Sequence, residues 1–185
     1  MSANQELFEF KFYEWEKKFR DNPYLRQPFG DEWEEYTWGK VGDMARRLAT
    51  GLKSLGLRDG AHIGIYSKNC REWIISDLAI VMAGYVSVPF FPSLNGKELS
   101  YIMEYGDVDA LFLGKIETWE DIKNDLPNDM PMITFPHYKG CSEVTRGFKW
   151  HDFINSYEPI QNPNKPKLSD LWTIIFTSGT TGNAK

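Results

Sequence analysis

The stretch "AHIGIYSKNCREWIISDLAIVMAGYVSVPF", residues 61–90, decides the fold class. It opens with seven mostly apolar residues, a pattern typical of a buried strand. Asn69 is followed three positions later by Glu72, and this pair can satisfy two free amides at a helix start. The predicted helix ends at Gly84, and an apolar run follows at Val86–Phe90. We therefore predict a strand–helix–strand unit whose two strands run parallel.

The neighbouring segments continue this alternation. Thr37 begins a strongly amphipathic helix that ends before Gly56, and the second Asn-x-x-Glu pattern at Asn95 opens another helix. Further expected elements are an arm of a strand or hairpin at 32–38, strands at 110–113 and 132–135, and helices at 118–125 and 150–156. The sequence predicts an α/β fold in which a mostly parallel sheet carries helices on both faces.

Four segments make up the expected domain plan. Residues 1–35 form an N-terminal helix and lead-in, 36–157 the α/β unit, 158–170 a proline-rich surface linker, and 171–185 a strand and loop. The aromatic-rich residues 5–20 favour a helix that docks on the domain. A helix face that lies on a membrane surface is the alternative.

Composition narrows the class of protein. The chain has 185 residues, a net charge of −5 and two distant cysteines, so neither nucleic-acid binding nor a disulfide framework is indicated. No secretory signal is visible, and polar residues interrupt the most apolar run, 73–91. We expect a cytoplasmic protein, with peripheral contact at the inner membrane face as a further possibility.

The loop "TSGTTGNAK", residues 177–185, has the composition of a phosphate-binding loop. It follows the apolar residues 172–177, which we expect to form a central parallel strand, at whose carboxyl end ligand sites lie in open α/β sheets. Gly179 and Gly182 allow backbone amides to approach an anion, and Lys185 adds a positive charge. Hydroxyl donors come from Ser178, Thr180 and Thr181. The spacing differs from that of the Walker A loop.

The loop, in the setting of the earlier segments, resembles the phosphate loop of the adenylate-forming enzymes. Residues 36–115 and 170–185 are similar to that family, and the stretches "SKNCREW", "DLAIVMAGYVSVPFFPSLN" and "LFLGK" are similar to bacterial long-chain fatty acyl-CoA synthetases in particular. Two positions depart from the family pattern. Ala184 stands where proline is usual, and Lys40 stands where an acid usually completes a capping box.

The resemblance implies an ATP-dependent, AMP-forming fatty acid–CoA ligase. Such enzymes use ATP and Mg²⁺ to convert a carboxylate to an acyl-adenylate, and they then transfer the acyl group to CoA. The phosphates would be bound by residues of the terminal loop, and the hydroxyl of Thr177 would help to hold Mg²⁺. By resemblance, the phosphate-binding residues are Thr177, Ser178, Gly179, Thr180, Thr181, Gly182 and Lys185.

The same resemblance predicts that the chain is the first part of the enzyme's large N-terminal domain. We expect it to be inactive by itself and to expose an apolar face through which it self-associates. Two other functions stay open. One is an acyl-AMP ligase that supplies a carrier protein, and the other is a non-catalytic nucleotide-binding or interaction module.

Overall fold

A computed structural model describes residues 8–177, with side chains from Lys11 onward. Helix α1 (Phe8–Lys18) comes first, and β1 (Pro23–Phe29) and β2 (Glu32–Thr37) then form an antiparallel hairpin. The N-terminal helix and the hairpin arm at β2 agree with the sequence pattern. Strand β1 was not predicted, because it contains Pro23 and Pro28, and proline disfavours a strand.

A regular alternation of helices and strands follows the hairpin. In chain order the elements are α2 (Trp38–Ser54), β3 (His62–Ser67), α3 (Arg71–Ala83), β4 (Val86–Phe90), α4 (Gly96–Tyr105), β5 (Val108–Gly114), α5 (Trp119–Ile122), β6 (Met132–Thr134), β7 (Phe148–Lys149) and α6 (Trp150–Asn155). Helix α5 is shorter than predicted. The two-residue strand β7 carried no sequence signal of its own.

The main sheet has five strands in the order β4-β3-β5-β6-β7, and each neighbouring pair is parallel. The prediction of a mostly parallel sheet is therefore confirmed. Among the strands of the main sheet, β3 comes first in the chain, but it lies inside the sheet, with β4 on one side and β5 on the other. The connection that follows β3 therefore leads to β4 on one side, whereas the connection that follows β5 leads to β6 on the other side.

Each face of the sheet has its own buried core. On one face Ile63 and Phe112 pack with α2, α3 and α6. On the other face Leu111 and Leu113 pack with α4 and α5. Successive side chains of a strand point to opposite faces, so the nearly continuous apolar run of β5 supplies both cores. Helices thus cover both faces, as predicted.

The two Asn-x-x-Glu patterns have different structures. Asn95 accepts from the Glu98 amide and Glu98 accepts from the Asn95 amide, both at 3.0 Å, so α4 begins with a complete capping box. Helix α3 instead has Cys70 at its N-cap position, and no side-chain hydrogen bond caps this helix. The prediction that Asn69 begins this helix was wrong. Its partner Glu72 is buried and bonded elsewhere.

Residues 158–170, here called the strap, contain no helix or strand but are bonded to the helices beneath them. Ile160 N donates to Arg46 O of α2 at 3.2 Å, and Asn164 N donates to Met82 O of α3 at 2.8 Å. These two hydrogen bonds hold the strap on the outer surface of α2 and α3. The strap leads from α6 toward the edge strand β4. Division of the chain into four segments remains a prediction.

Candidate functional site

The last described residues place the start of the terminal loop at one edge of the main sheet. Thr173 forms a parallel bridge with Ser87 of β4. Ser87 N donates to Trp172 O, and Ile174 N donates to Ser87 O, both at 2.9 Å. Because the pairing is parallel, the chain runs from Thr173 toward the carboxyl end of β4. Thr177 consequently lies at the edge where parallel sheets bind ligands.

The expected central strand at 172–177 needs correction, since the structure has a single bridge at Thr173 there. In the described part of the chain this segment pairs with β4 alone. Leu171 and Ile175 expose 60% and 62% of their surface, whereas Ile174 and Phe176 pack against the core on the α4 side. The apolar residues predicted a strand that is buried on both faces. In the structure only one face of this segment is covered.

Phe176 anchors the segment next to the loop. It is buried, and its ring centroid lies 6.4 Å from that of Phe90 and 6.1 Å from that of Tyr105. A cavity of about 70 Å³ lies beside it, with Phe91 and Thr177 among its lining residues. Thr177 itself is exposed. Packing of Phe176 therefore fixes where the loop starts and leaves the adjacent threonine open to solvent.

Most predicted site residues lie outside the described part of the chain. They are Ser178, Gly179, Thr180, Thr181, Gly182 and Lys185. Among the side chains of residues 11–177, no group of three or more His, Cys, Asp or Glu could hold a metal ion. Thr177 could supply one hydroxyl oxygen, and oxygen is the ligand type that Mg²⁺ prefers. Mg²⁺ commonly completes its shell with water and substrate phosphates.

A buried polar network at the start of α3 was missed by the sequence reasoning. The guanidinium of Arg71 donates to Glu72 at 2.9 Å and to Glu34 at 2.8 Å. Tyr138 donates its hydroxyl hydrogen to the other oxygen of Glu72 at 2.5 Å. The network joins the N-terminal hairpin, α3 and the chain after β6. It could not be read from sequence because its members are up to about a hundred positions apart.

The network changes the titration of its neighbours. Burial, together with the negative charge of Glu72, raises the pKa of the Cys70 thiol to about 11. The same two causes raise the pKa of Tyr138 above its ordinary value. Both groups are therefore neutral near pH 7. Because the thiolate is the reactive form, Cys70 is not an activated nucleophile.

Two of the three histidines contact backbone carbonyls. Nδ1 of His62 lies 2.6 Å from Gly106 O, and Nε2 of His137 lies 3.0 Å from Cys141 O. These contacts hold the two imidazole rings in place against the backbone.

Comparison with known proteins identifies the family. The sequence profile of the family described as "AMP-binding enzyme" matches residues 12–185. The chain belongs to the AMP-binding enzyme family. The expected relationship to the adenylate-forming enzymes is thereby confirmed, and it extends over nearly the whole chain.

Curated relatives of this chain include long-chain acyl-CoA synthetases. Long chain acyl-CoA synthetase 4 of Arabidopsis thaliana is 30% identical over 91% of this chain and 28% of its own length. Long-chain-fatty-acid--CoA ligase ACSBG2 of Rattus norvegicus is 26% identical over 94% of this chain and 27% of its own length. The chain thus spans a little over a quarter of the relatives that it matches.

Solved structures of related fold match the chain at lower identity. The anthranilate CoA ligase AuaEII in complex with anthranoyl-AMP has a TM-score of 0.79 and 21% identity, over 95% of this chain and 33% of that one. The luciferase-like enzyme of the Zophobas morio mealworm has a TM-score of 0.75 and 20% identity, over 100% of this chain and 43% of that one. These similarities confirm the fold.

Among the described residues, no helix combines the length and the apolar character that crossing a membrane requires.

Proposed function

We propose that this chain is the first part of the ATP-binding domain of a long-chain fatty acid–CoA ligase. The observation that carries the proposal is the family match over residues 12–185, combined with curated relatives that are long-chain acyl-CoA synthetases. The substrates are a fatty acid, ATP and CoA. In the first half-reaction the carboxylate attacks the α-phosphate of ATP and pyrophosphate leaves, and in the second the CoA thiol displaces AMP.

The terminal loop binds the phosphates of ATP in this proposal. Catalysis of such a transfer depends mainly on positioning and on neutralisation of charge. Backbone amides near Gly179 and Gly182 donate to phosphate oxygens, and Lys185 balances the charge of the departing pyrophosphate. Ser178, Thr180 and Thr181 add hydroxyl donors. Placement of Thr177 at the carboxyl end of β4 supports this arrangement.

Mg²⁺ is the proposed metal, and Thr177 is its proposed protein ligand in this chain. The exposed hydroxyl of Thr177 fits a hard cation that prefers oxygen. When bound, the ion would neutralise phosphate charge and orient the oxygens of the departing pyrophosphate. Holding the ion through one hydroxyl would require the other ligands to come from ATP, water or further protein residues.

A chimera tests the proposed activity. Residues 12–185 would replace the matching segment of Arabidopsis thaliana long chain acyl-CoA synthetase 4, and fatty-acid-dependent ATP–pyrophosphate exchange would be measured. We expect exchange by the chimera and none by the 185-residue chain alone. A folded chimera without exchange would contradict the proposal, as would exchange by the isolated chain.

Variants of the chimera test the loop. We expect Lys185→Gln to lower the exchange rate about 100-fold, as removal of one positioned charge-stabilising donor commonly does. Thr177→Val should raise the Mg²⁺ concentration needed for half-maximal exchange. Lys167→Gln in the strap is the matched control, since this lysine is exposed and outside the loop. If the control lost as much exchange activity as Lys185→Gln, the assignment of Lys185 to phosphate binding would be wrong.

CoA is the proposed acyl acceptor, and an acyl-AMP ligase that supplies a carrier protein is the competing function. Release of AMP by the chimera on addition of CoA would favour the ligase.

We also propose a cytoplasmic protein that contacts the membrane peripherally and self-associates through exposed apolar residues such as Leu171 and Ile175. Sedimentation of the chain with and without lipid vesicles measures both properties.

A further inference from the structure

The neighbouring strands β3 and β5 form a switch point of the sheet topology. The helix that follows β3 is α3, which packs on one face, whereas the helix that follows β5 is α5, which packs on the other. The two connecting loops therefore diverge at the carboxyl ends of these strands. Crevices at such switch points are preferred ligand sites in open parallel sheets. This crevice is separated by β4 from the edge at which Thr177 lies.

A pocket of about 470 Å³ opens at this crevice, beneath strand β1 of the hairpin. Its volume lies within the range of small-molecule sites. The apolar lining residues are Leu25, Pro28, Trp73 and Ile74. Its charged lining residues are cations, namely Arg26, Arg71 and Lys115. This combination suits an anion that carries an apolar group.

Lys115 is the cation available to a ligand. Arg26 pairs with Glu35 at 2.6 Å, and Arg71 is committed to Glu34 and Glu72. None of the carboxylates in residues 11–177 forms an ion pair with Lys115. Its ammonium group donates to Asn69 O at 2.6 Å, and it has three donors in total.

The backbone at Lys115 is also unusual. Its φ of 47° lies in the left-handed region, which costs a non-glycine residue free energy. Lys115 Nζ lies 4.9 Å from the ring centroid of Tyr138 and belongs to the pocket lining. A strained residue therefore carries the one unpaired ammonium group of this pocket.

We propose that this pocket binds a small organic anion in which one carboxylate is joined to an apolar group. Lys115 holds the carboxylate, and Trp73 and Ile74 contact the apolar group. A single unpaired ammonium balances one negative charge, so a monovalent carboxylate fits better than a phosphate dianion. The site is independent of the proposed phosphate loop, since it lies at β3 and β5 and requires no nucleotide.

Calorimetric titration of the 185-residue chain with octanoate, in the absence of ATP, tests the site. We expect Lys115→Gln to weaken octanoate binding by about tenfold, because a hydrogen bond to a charged group is lost. Lys97→Gln is the control, since Lys97 is exposed and lies on α4 at the other face. Octanol and inorganic phosphate, which lack the charge or the apolar group, should each bind at least about tenfold more weakly than octanoate.

Three results would overturn the proposal: no octanoate binding, equal binding by Lys115→Gln and wild type, or equal binding of octanol. Equal binding by the variant would place octanoate elsewhere and leave the proposed ligase function untouched. Should Lys115→Gln not fold, NMR of the wild-type chain labelled at the tryptophan indoles replaces it. Octanoate should then shift the indole resonance of Trp73, which is assigned with Trp73→Phe, and an unshifted resonance would contradict the site.

Discussion

Helices α3 and α4 begin with the same sequence pattern, and the structure uses the two patterns differently. At α4 the Asn95–Glu98 pair lies on the surface and forms a reciprocal cap. At α3 the corresponding glutamate, Glu72, is fully buried and bonds Arg71 and Tyr138. A local motif therefore determines a helix start only where no stronger partner competes for its side chain. The guanidinium of Arg71 is such a partner.

Removal of Glu72 gives the largest effect expected from this comparison. Glu72→Ala leaves Arg71 with the half-exposed Glu34 as its remaining carboxylate and leaves the Tyr138 hydroxyl without an acceptor. We expect the free energy of unfolding to fall by about 3 kcal/mol, the scale of a broken buried ion pair. Urea unfolding followed by tryptophan fluorescence measures it. A loss as small as that from Glu98→Ala would show that Glu72 acts only as a cap.

Removal of the Tyr138 hydroxyl should have a smaller effect. Tyr138→Phe keeps the ring stacked on Phe29, with centroids 5.3 Å apart, and deletes one hydrogen bond to a buried carboxylate. We expect a loss of about 2 kcal/mol in the same unfolding assay. Tyr101→Phe, at an exposed tyrosine of α4, is the control. Equal losses in the two variants would indicate that the Glu72 bond contributes nothing.

The asparagines give the third test. Asn95→Ala removes a working N-cap and should cost about 1 kcal/mol of unfolding free energy. Asn69→Ala, at the same position of the other motif, should cost less than about 0.5 kcal/mol. The hydrogen bond from the Lys115 ammonium group to the backbone carbonyl of residue 69 is kept in that variant. Similar losses at the two sites would restore the simple prediction that both motifs are caps.

The smallest effect is expected at Asp77, the second acid of α3. Burial raises the pKa of this carboxyl, and the nearby Ser87 hydroxyl opposes the shift. Between the unfolded and folded pKa values the native state binds more protons, so stability falls as pH rises through this window. Asp77→Asn should therefore stabilise the chain at pH 7. Since solvent screens a partly buried group, the gain is modest.

Thermal unfolding across pH checks the sign of that effect. The gain from Asp77→Asn should vanish below the unfolded pKa, where the carboxyl is protonated in both states. Destabilisation by Asp77→Asn at pH 7 would show that the ionised carboxylate has a favourable partner.

Local signals in the sequence predicted most of the α/β unit. Thr37 accepts from the Lys40 amide, and Gly84 ends α3 in a left-handed conformation, as their residue types indicate. Apolar runs predicted four strands of the main sheet, namely β3, β4, β5 and β6. Each of these signals depends on neighbours within a few positions, so the sequence alone contains the necessary information.

Features that depend on distant partners could not be predicted. The two residues of β7 pair with β6 only because the intervening chain returns to that edge. The burial of residues 172–177 depends on which elements cover each face, and apolar composition does not specify this. The candidate loop was found from its glycines and hydroxyls, whereas the position of Thr177 beside β4 required the Ser87–Thr173 bridge.

The bridge between Ser87 and Thr173 has a consequence for the entropy of the chain. Through hydrogen bonds it joins two residues that are 86 positions apart, and the chain between them passes through α4, β5, β6, α6 and the strap. The entropic cost of such a closure grows only slowly with length, but it is met by the packing of everything between its ends. The position of Thr177 is therefore a property of the completed sheet. A short peptide with the same final residues would lack it.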